Sequence, residues 1–478
     1  MDGLEESLVV MRESFGRGKT RSAAWRKLQL NGILNLVGEN EEMIFEALNE
    51  DLGKHPVEAY RDEVGVVKKS ALHALESLDR WMAPKKAYIP LIFRPAKARV
   101  VPEPLGLVLI ISSWNFPFSL SMDPLIGAIA AGNTAVVKPS ESAPATSSLL
   151  AKLIPLYLDP EAIRVIEGGT DVSTRLLEKK WDKIFFTGSS RVGRIVMSAA
   201  AKHLTPVTLE LGGKSPAIVD DLSNSDLEVA IKRIVSGKWG SCYGQVCLAV
   251  DYILVEERLA PLLIDRLKAR LRKFYGSNSQ DLKDISRVVN KHHFTRLCNL
   301  LKDPAVASSV VFGGSLDEDR LFIEPTILLN PPLDAEIMTE EIFGPLLPIV
   351  TLGNVQDSIE FINSRPKPLV LYAFTKDDSF KEQIVAQTSS GCVTFNDTCI
   401  QFVCEAIPFG GVGESGQGRY HGKYSFDAFS HEKGVLHRTF YLELEPRHPP
   451  LSDFKLKFLR LLYAFDYWGL VLLFLGLK

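Results

Sequence analysis

From Gly106 onward the chain alternates short, almost unbroken apolar runs with longer amphipathic stretches, and no other feature constrains the fold as much. Gly106–Ser112, G-L-V-L-I-I-S, is apolar at successive rather than alternate positions, the mark of a strand buried on both faces. A helix over Ser121–Ala131 follows, closed by Gly132-Asn133. Thr134–Val137, Ile163–Glu167 and Lys183–Phe186 read as further strands, separated by helices at Ala145–Leu156 and Val172–Lys179. Strand and helix in turn at this spacing predict an α/β fold with a parallel, doubly wound sheet.

Such sheets bind ligands at the carboxyl ends of their strands. The ends here carry Ser113-Trp114-Asn115-Phe116-Pro117, Lys138-Pro139-Ser140-Glu141, and Thr187-Gly188-Ser189-Ser190-Arg191-Val192-Gly193, the last opening another helix. Gly188 and Gly193 are expected to let backbone N–H groups approach an anion where the helix dipole is positive. Lys138 and Glu141 are placed to reach a ribose or a nearby phosphate, and a carboxylate on a ribose 2′-hydroxyl favours NAD over NADP. The G-x-G-x-x-G fingerprint is missing. A plain loop and a helix start with a solvated lysine therefore stay open as alternatives.

A second α/β region follows. Pro206–Leu211 delivers Glu210 at a strand end, and Ser215–Val219, Tyr252–Val255, Ile323–Leu329, Leu346–Leu352 and 369–374 continue the strands. Helices are expected over Val229–Trp239, Ala260–Phe274, 357–363 and 379–388. Within Thr208–Ala249 stand a carboxylate, Glu210 before Gly212-Gly213, and a thiol, Cys247, in G-Q-V-C-L-A. A thiol and a carboxylate at turn-like positions suit covalent catalysis followed by hydrolysis; a buried structural cysteine and a solvated glutamate are the plainer reading. Residues 1 to about 80 read as helices whose apolar positions only pack. Tyr88–Phe93 and Ala98–Val101 read as two extended runs around Arg94-Pro95, a hairpin-like ribbon suited to association by strand addition. The Gly-rich segment 408–418 reads as a tightly packed, substrate-side loop. His292-His293, in a polar segment before a helix at Phe294–Leu301, reads as surface, and no residue at ligand spacing makes it a metal site.

Charge and cysteine usage narrow the function. A net charge of −3 with no basic stripe argues against a nucleic-acid partner. The six cysteines contain no C-x-x-C pair, which removes a zinc knuckle, and the acidic start M-D-G-L-E-E-S lacks the apolar core of a secretory signal. A reducing, cytosol-facing compartment fits.

Taken together, Ser113–Pro117, Lys138–Glu141, Phe186-Thr187-Gly188-Ser189, Leu209-Glu210-Leu211-Gly212-Gly213-Lys214, Gly244-Gln245-Val246-Cys247 and Glu341-Ile342-Phe343-Gly344-Pro345 resemble the aldehyde dehydrogenases. Tyr420-His421-Gly422-Lys423 with Phe429-Ser430-His431 resembles the ending of class 3, in wording similar to plant members. The resemblance spans roughly residues 5 to 440. It implies that Cys247 attacks an aldehyde as thiolate and that the Asn115 amide and the Cys247 N–H hold the oxyanion. Hydride then passes to a nicotinamide, and a glutamate activates water against the thioester. That glutamate is Glu210, or in class 3 Glu341; both stay open. The resemblance places the pyrophosphate near Gly188 and Ser189, the adenosine ribose near Lys138 and Glu141, and the nicotinamide ribose near Glu341 with Phe343 beside the ring. Trp114, Thr187, Gly193 and Leu211 complete the cofactor set. Ser189-Ser190 stands where the wider family commonly has Ser-Thr, and Gln417 where class 3 has an apolar residue. Cys242 is a rival thiol without the Gly-Gln lead-in.

The implied function is oxidation of aldehydes to carboxylic acids with NAD, or NADP, on medium- or long-chain aliphatic or lipid-derived substrates, a detoxifying reaction. A cysteine-dependent hydrolase using His421 or His431, and a non-catalytic membrane-associated scaffold, are the competing classes. The expected division is a cofactor domain at 1–84 and 104–209, a catalytic thiol domain at 210–404, bridging and oligomerising segments at 85–103 and 405–447, and an apolar tail at 448–478. Class 3 members are usually dimers, so a homodimer is expected. In the tail, Arg460 and Asp466 interrupt the apolar run, and Tyr467–Leu477 suits an interfacial or buried helix better than a span. Lys455, Lys457 and Arg460 with Tyr467-Trp468 give 451–478 a membrane-surface reading beside a packed-helix one. The expected location is cytoplasmic, with the tail able to attach the protein to the cytosolic face of an internal membrane such as the endoplasmic reticulum.

Overall fold

A computed structural model of the protein describes residues 2–276, 285–441 and 443–477. The chain divides into two compact units, Met1–Trp81 with Pro104–Ser430, and Met82–Glu103 with His431–Lys478.

The larger unit holds two main sheets. Strands β1 (Leu107–Ile111), β2 (Thr134–Lys138), β3 (Ile163–Val165), β4 (Lys183–Thr187) and β5 (Val207–Glu210) build the first. The second contains β6 (Pro216–Val219), β7 (Tyr252–Glu256), β8 (Val310–Phe312), β9 (Thr326–Leu329), β10 (Leu346–Leu352), β11 (Val370–Phe374) and β12 (Cys392–Phe395). A short β13 (Gly416–Gln417) then returns to the first sheet, whose order is β13-β5-β4-β1-β2-β3. All neighbours there are parallel except β13, which pairs antiparallel with β5 through Gly416 opposite Glu210. Every residue of β1, β2 and β4 is buried, which is why their sequences lack polar alternation. The strand order reverses between β1 and β4, so their carboxyl ends open the crevice where such sheets take ligands. The second sheet, ordered β8-β9-β10-β7-β6-β11-β12, is parallel apart from the β8 edge. Its core gathers Leu254, Leu297, Ile337, Leu346 and Leu371.

The expected helices between strands form, and their ends have identifiable caps. The Ser119–Ala131 helix closes on Gly132 at φ 91°, a left-handed conformation that glycine adopts without a Cβ clash. The Pro144–Tyr157 helix begins after Ala143, which has no side-chain acceptor. Asp51 supplies one from the Glu41–Leu52 helix, accepting from the Ala145 and Thr146 N–H groups at 3.0 and 2.8 Å. A cap of this kind contributes about 1 kcal/mol, and this one also ties the N-terminal helices to the sheet layer.

Several expectations need correction. Tyr88–Phe93 is not a strand; it contains a 3₁₀ turn, Leu91–Phe93, and Lys85–Lys86 pairs instead with Lys97–Pro104. Proline at position 90 denies a ladder donor there. Ser430–His437 is the third strand of that small sheet; its largely exposed, polar sequence gave no alternation to read. His292-His293 lies inside a helix rather than before it: Lys291–Lys302 starts one turn early because the Asn290 side chain accepts from the His293 N–H at 3.0 Å. Ser223 likewise moves the start of the next predicted helix back, to Asn224.

In the smaller unit the tail folds as two helices, Asp453–Tyr463 and Tyr467–Phe474, capped by Ser452 and Asp466. Phe458, Leu462, Leu470 and Leu473 form its apolar core, with Ile92 and Leu444 packed on it. Among the described residues no helix is long and apolar enough to cross a membrane.

Candidate active site

Cys247 is delivered by a tight turn. After the Asn224–Trp239 helix, Cys242, Tyr243 and Gly244 all take positive φ, 40°, 53° and 82°. A Cβ on Gly244 would stand 2.5 Å from the Gly344 carbonyl oxygen, so only glycine fits. The buried Gln245 anchors the turn on its far side: its amide nitrogen donates to the Cys242 and Arg287 carbonyls, each at 3.0 Å, and its oxygen accepts from the Val289 N–H at 3.0 Å. The Gly-Gln lead-in is therefore a scaffold for the thiol. Cys242, the rival thiol, is wholly buried.

Cys247 is half-buried in the wall of a narrow cavity of about 90 Å³. Glu210, Thr187 and Leu211 share the wall, and Phe116, Leu120, Phe402, Val403 and Phe409 make it apolar. Burial pushes the thiol well above its ordinary range, and Glu341 and Glu210 push it further. A thiolate here needs a base or a bound cation, since the free site disfavours it.

Two carboxyls converge on this thiol from different elements. Glu210 ends β5; neither of its oxygens has a hydrogen-bond partner, and burial holds it well above the usual carboxylate range. Glu341 arrives from the loop before β10, and its carboxyl lies against Gly212, where a Cβ would fall 1.9 Å from Oε2. Burial, then Asp251, raises it to about 8, against a hydrogen bond from the Gly213 N–H and the charges of Lys214 and Arg296. The loop is pinned along its length. Asp251 accepts from the Ile342 N–H at 3.0 Å, Lys214 donates to the Ile337 and Glu340 carbonyls at 2.7 and 3.0 Å, and Arg296 donates to the Ile342 carbonyl. Phe343, at φ 51°, is strained for a non-glycine residue. Its ring meets Trp114 edge-on at 5.3 Å, and Trp114 packs on His293 at 5.0 Å. His293 is thus an aromatic neighbour of the strand-end loop rather than a surface residue, and burial lowers its pKa to about 4.

The expected cofactor residues stand at three adjacent strand ends: Trp114 after β1, Lys138 and Glu141 at and after β2, Thr187 to Ser189 at and after β4. Lys138 is buried, with its ammonium on the exposed Glu141 carboxylate. The expectation for the two glycines needs correcting. The Gly188 N–H donates to the Glu210 carbonyl at 3.1 Å and the Gly193 N–H to the Ser189 carbonyl at 2.9 Å, so neither faces an anion. They are glycines for space: a Cβ would stand 2.6 Å from the Phe186 ring at 188 and 2.9 Å from the Leu211 side chain at 193. Ser189 caps the Ser190–Ala201 helix, its hydroxyl accepting from the Val192 N–H. That leaves the first-turn donors of Ser190 and Arg191 without intrahelical partners, a place that suits a pyrophosphate. Buried Lys138, the exposed Glu141 carboxylate and this helix start fit a dinucleotide.

The Gly-rich segment does more than line a substrate path. Phe409 is in the cavity wall, but the Glu414 carbonyl accepts from the Ser190 hydroxyl at 3.0 Å, and the Ser415 carbonyl from the Leu211 N–H at 3.1 Å. It therefore also bounds the first sheet. His421 is buried against the Phe402 and Phe409 rings, and burial lowers its pKa to about 3. Among the described residues no three His, Cys, Asp or Glu side chains gather as a metal site.

The N-terminal helices, read as packing alone, turn out to reach the site. Arg61, Asp62 and Val66 line the cavity. The available signal was a cluster of charges, Lys54, Glu58, Arg61, Asp62 and Glu63, inside otherwise amphipathic helices.

The sequence profile of the aldehyde dehydrogenase family matches residues 5–435. Aldehyde dehydrogenase family 3 member F1 of Arabidopsis thaliana is 58% identical over 99% of this chain and 98% of its own length. A 4,4′-diaponeurosporen-aldehyde dehydrogenase of Staphylococcus aureus is 44% identical over 96% of this chain and 99% of its own. Among solved structures, substrate-bound Staphylococcus aureus AldH superposes with a TM-score of 0.92 at 44% identity, covering 96% of this chain and 99% of that one. An NADP-dependent enzyme of E. coli and an NAD-dependent aldehyde dehydrogenase of Sinorhizobium meliloti, each 26% identical, superpose with TM-scores of 0.82 and 0.83. They cover 91% and 93% of this chain, and it covers 90% and 88% of theirs.

Proposed function

Because the chain belongs to family 3 of the aldehyde dehydrogenases and is an NAD(P)-dependent aldehyde-oxidising enzyme, we propose that Cys247 is its nucleophile and Glu341 its deacylating base. The observation that carries this reading is one thiol in an apolar cavity with two raised carboxyls acting on it, Glu210 from the cavity wall and Glu341 from the loop before β10.

The Cys247 sulfur bonds to the aldehyde carbon, and the thiol proton passes to ionised Glu341, which releases it to solvent before the second step. The alkoxide of the resulting thiohemiacetal is held by the Asn115 amide and the Cys247 N–H. When bound, the nicotinamide supplies the acceptor for the hydride that this carbon gives up, leaving a thioester on Cys247. Glu341 then takes a proton from water, the hydroxide adds to the thioester carbon, and the carboxylic acid departs as the sulfur is released. A carboxyl near 8 is matched to proton removal at neutral to mildly alkaline pH. Glu210, which burial holds well above the usual carboxylate range and which has no hydrogen-bond partner, serves as a wall of the site.

Trp114, Lys138, Glu141, Thr187, Ser189, Leu211, Glu341 and Phe343 would hold the dinucleotide. Glu141 favours NAD, and its pairing with Lys138 leaves NADP a second choice. The cofactor part is residues 1–84 and 104–209, the thiol part 210–404, with 85–103 and 405–447 as bridging segments of a homodimer. The narrow apolar cavity favours medium- to long-chain aliphatic or lipid-derived aldehydes, in keeping with the 4,4′-diaponeurosporen-aldehyde named for the Staphylococcus relative. On the 448–478 tail, exposed Trp468, Val471 and Phe474 stand near Lys455, Lys457 and Arg460 in sequence. They suit contact with the cytosolic face of an internal membrane, without a span.

A panel of aldehydes of increasing chain length, assayed with NAD and NADP in parallel, tests the reading. Reduced nucleotide should form fastest with the longer aliphatic members and not at all with Cys247→Ala; activity retained in that variant would sink it.

A further inference from the structure

Lys54 and Glu63 are both without exposed surface and form an ion pair at 2.5 Å. The Lys54 ammonium also donates to the Asn115 carbonyl at 2.8 Å and stands 4.2 Å from the centre of the Phe116 ring. The second Glu63 oxygen accepts from the Phe118 and Ser119 N–H groups at 2.9 and 3.1 Å. Phe118 precedes the Ser119–Ala131 helix and has no side-chain acceptor, so Glu63 caps that helix from outside. One buried pair thus fixes the loop from Asn115 to Ser119.

The same segment grips the other wall of the site. Glu58 accepts from the Cys242 N–H at 2.6 Å and from the Ser286 hydroxyl. Asp62 accepts from the Ser241 hydroxyl at 2.6 Å, and Arg61 donates to the Gly240 carbonyl at 2.7 Å. Gly240, Ser241 and Cys242 begin the turn that carries Cys247. The Asn115 side chain closes the circuit, its amide donating to the Gln245 carbonyl at 3.0 Å.

We propose that the Lys54–Glu63 segment is a clamp that sets the separation between the Asn115 amide and the Cys247 sulfur, with Lys54 and Glu63 as positioning residues for the oxyanion. The proposal rests on the reading of Asn115 as an oxyanion donor. Its physical ground is that a buried ion pair is a poor source of net stability, whereas this one makes contacts to both the Asn115 carbonyl and the following helix start. Displacing a reacting group by about 1 Å costs roughly 100-fold in rate.

The test compares Lys54→Met/Glu63→Gln, Asn115→Ala and the triple variant with the wild type. The paired replacement leaves no unpartnered buried charge. Each is followed by circular dichroism, nucleotide binding, and KM and kcat for octanal oxidation. The paired variant should lose about 100-fold in kcat, with KM and nucleotide affinity within about threefold, and the triple variant should be no slower than Asn115→Ala. A folded paired variant with wild-type kcat, or losses that multiply in the triple, overturns the clamp. Wild-type kcat in Asn115→Ala overturns the oxyanion reading instead, whatever the paired variant does. Should the paired variant not fold, Glu58→Gln decides: about tenfold lower kcat at unchanged KM supports the clamp, and unchanged kcat overturns it.

Discussion

At the carboxyl end of β2 and in the loop that follows β4 the polar groups have protein partners; around Cys247 several have none. Lys138 holds Glu141, the Gly188 N–H meets a carbonyl and Ser189 caps its helix. Around Cys247, both Glu210 oxygens, the Thr187 hydroxyl and one Glu341 oxygen are buried without partners. The first region can exchange an internal pair for a ligand at modest expense. The second keeps desolvated groups in place so that proton affinities stay raised. Binding and chemistry are thus set by opposite treatments of polar atoms, and the contrast can be attacked from either side.

The largest effect belongs to the thiol. Cys247→Ala should lower aldehyde oxidation by roughly 10⁴-fold or more while nucleotide binding, followed by fluorescence, is retained. Next is Glu341→Gln. Deacylation should fall by roughly 100-fold or more, so that a rapid burst of reduced nucleotide is followed by a stall. In the wild type that step should accelerate as pH rises through about 8, as Glu341 ionises. Glu210→Gln should leave the step in place; a stall there instead would exchange the roles of the two carboxyls.

Glu210 offers a smaller effect on stability. Its folded pKa lies above its unfolded value, so its contribution is fully present below the ordinary carboxyl range and is lost as pH rises toward the folded value. Glu210→Gln should therefore raise the thermal midpoint by roughly 2 °C or more at pH 8 and change it little at pH 4. The opposite pH trend would show that the cavity does not hold this carboxyl protonated. Smallest is the pair at β2. Glu141→Ala should shift the ratio of KM values for NAD and NADP about threefold to tenfold, leaving kcat alone, as expected where partners are exchangeable.

The parallel sheets were legible because buried strands write their burial into consecutive apolar residues: β1, β2 and β4 appear within a residue or two of their boundaries, and β10 at both. Cys247, Glu210 and Glu341 were legible as short motifs. What stayed hidden depends on contacts between distant segments. Nothing near Gly188 tells that its N–H is taken by Glu210, or that the Phe186 ring fills the space of a side chain. The polar strand Ser430–His437 has no apolar face to betray it. Lys54 and Glu63 read locally as ordinary helix charges, and only the loop they enclose gives them a task.

The pairing of Gly416 with Glu210 also carries a timetable. A ribosome makes the roughly 200 residues between them in about 10–40 s, and through that interval the outer edge of β5 is uncovered. The strand that ends in the buried carboxyl is then an open edge, the kind that recruits another chain. A nascent chain that has passed Glu341, or a product truncated between Glu341 and Ser415, carries its nucleophile and both glutamates without the strand that closes them in. Early termination in this region should yield an aggregating species rather than a weak enzyme, visible as loss of soluble product on expression.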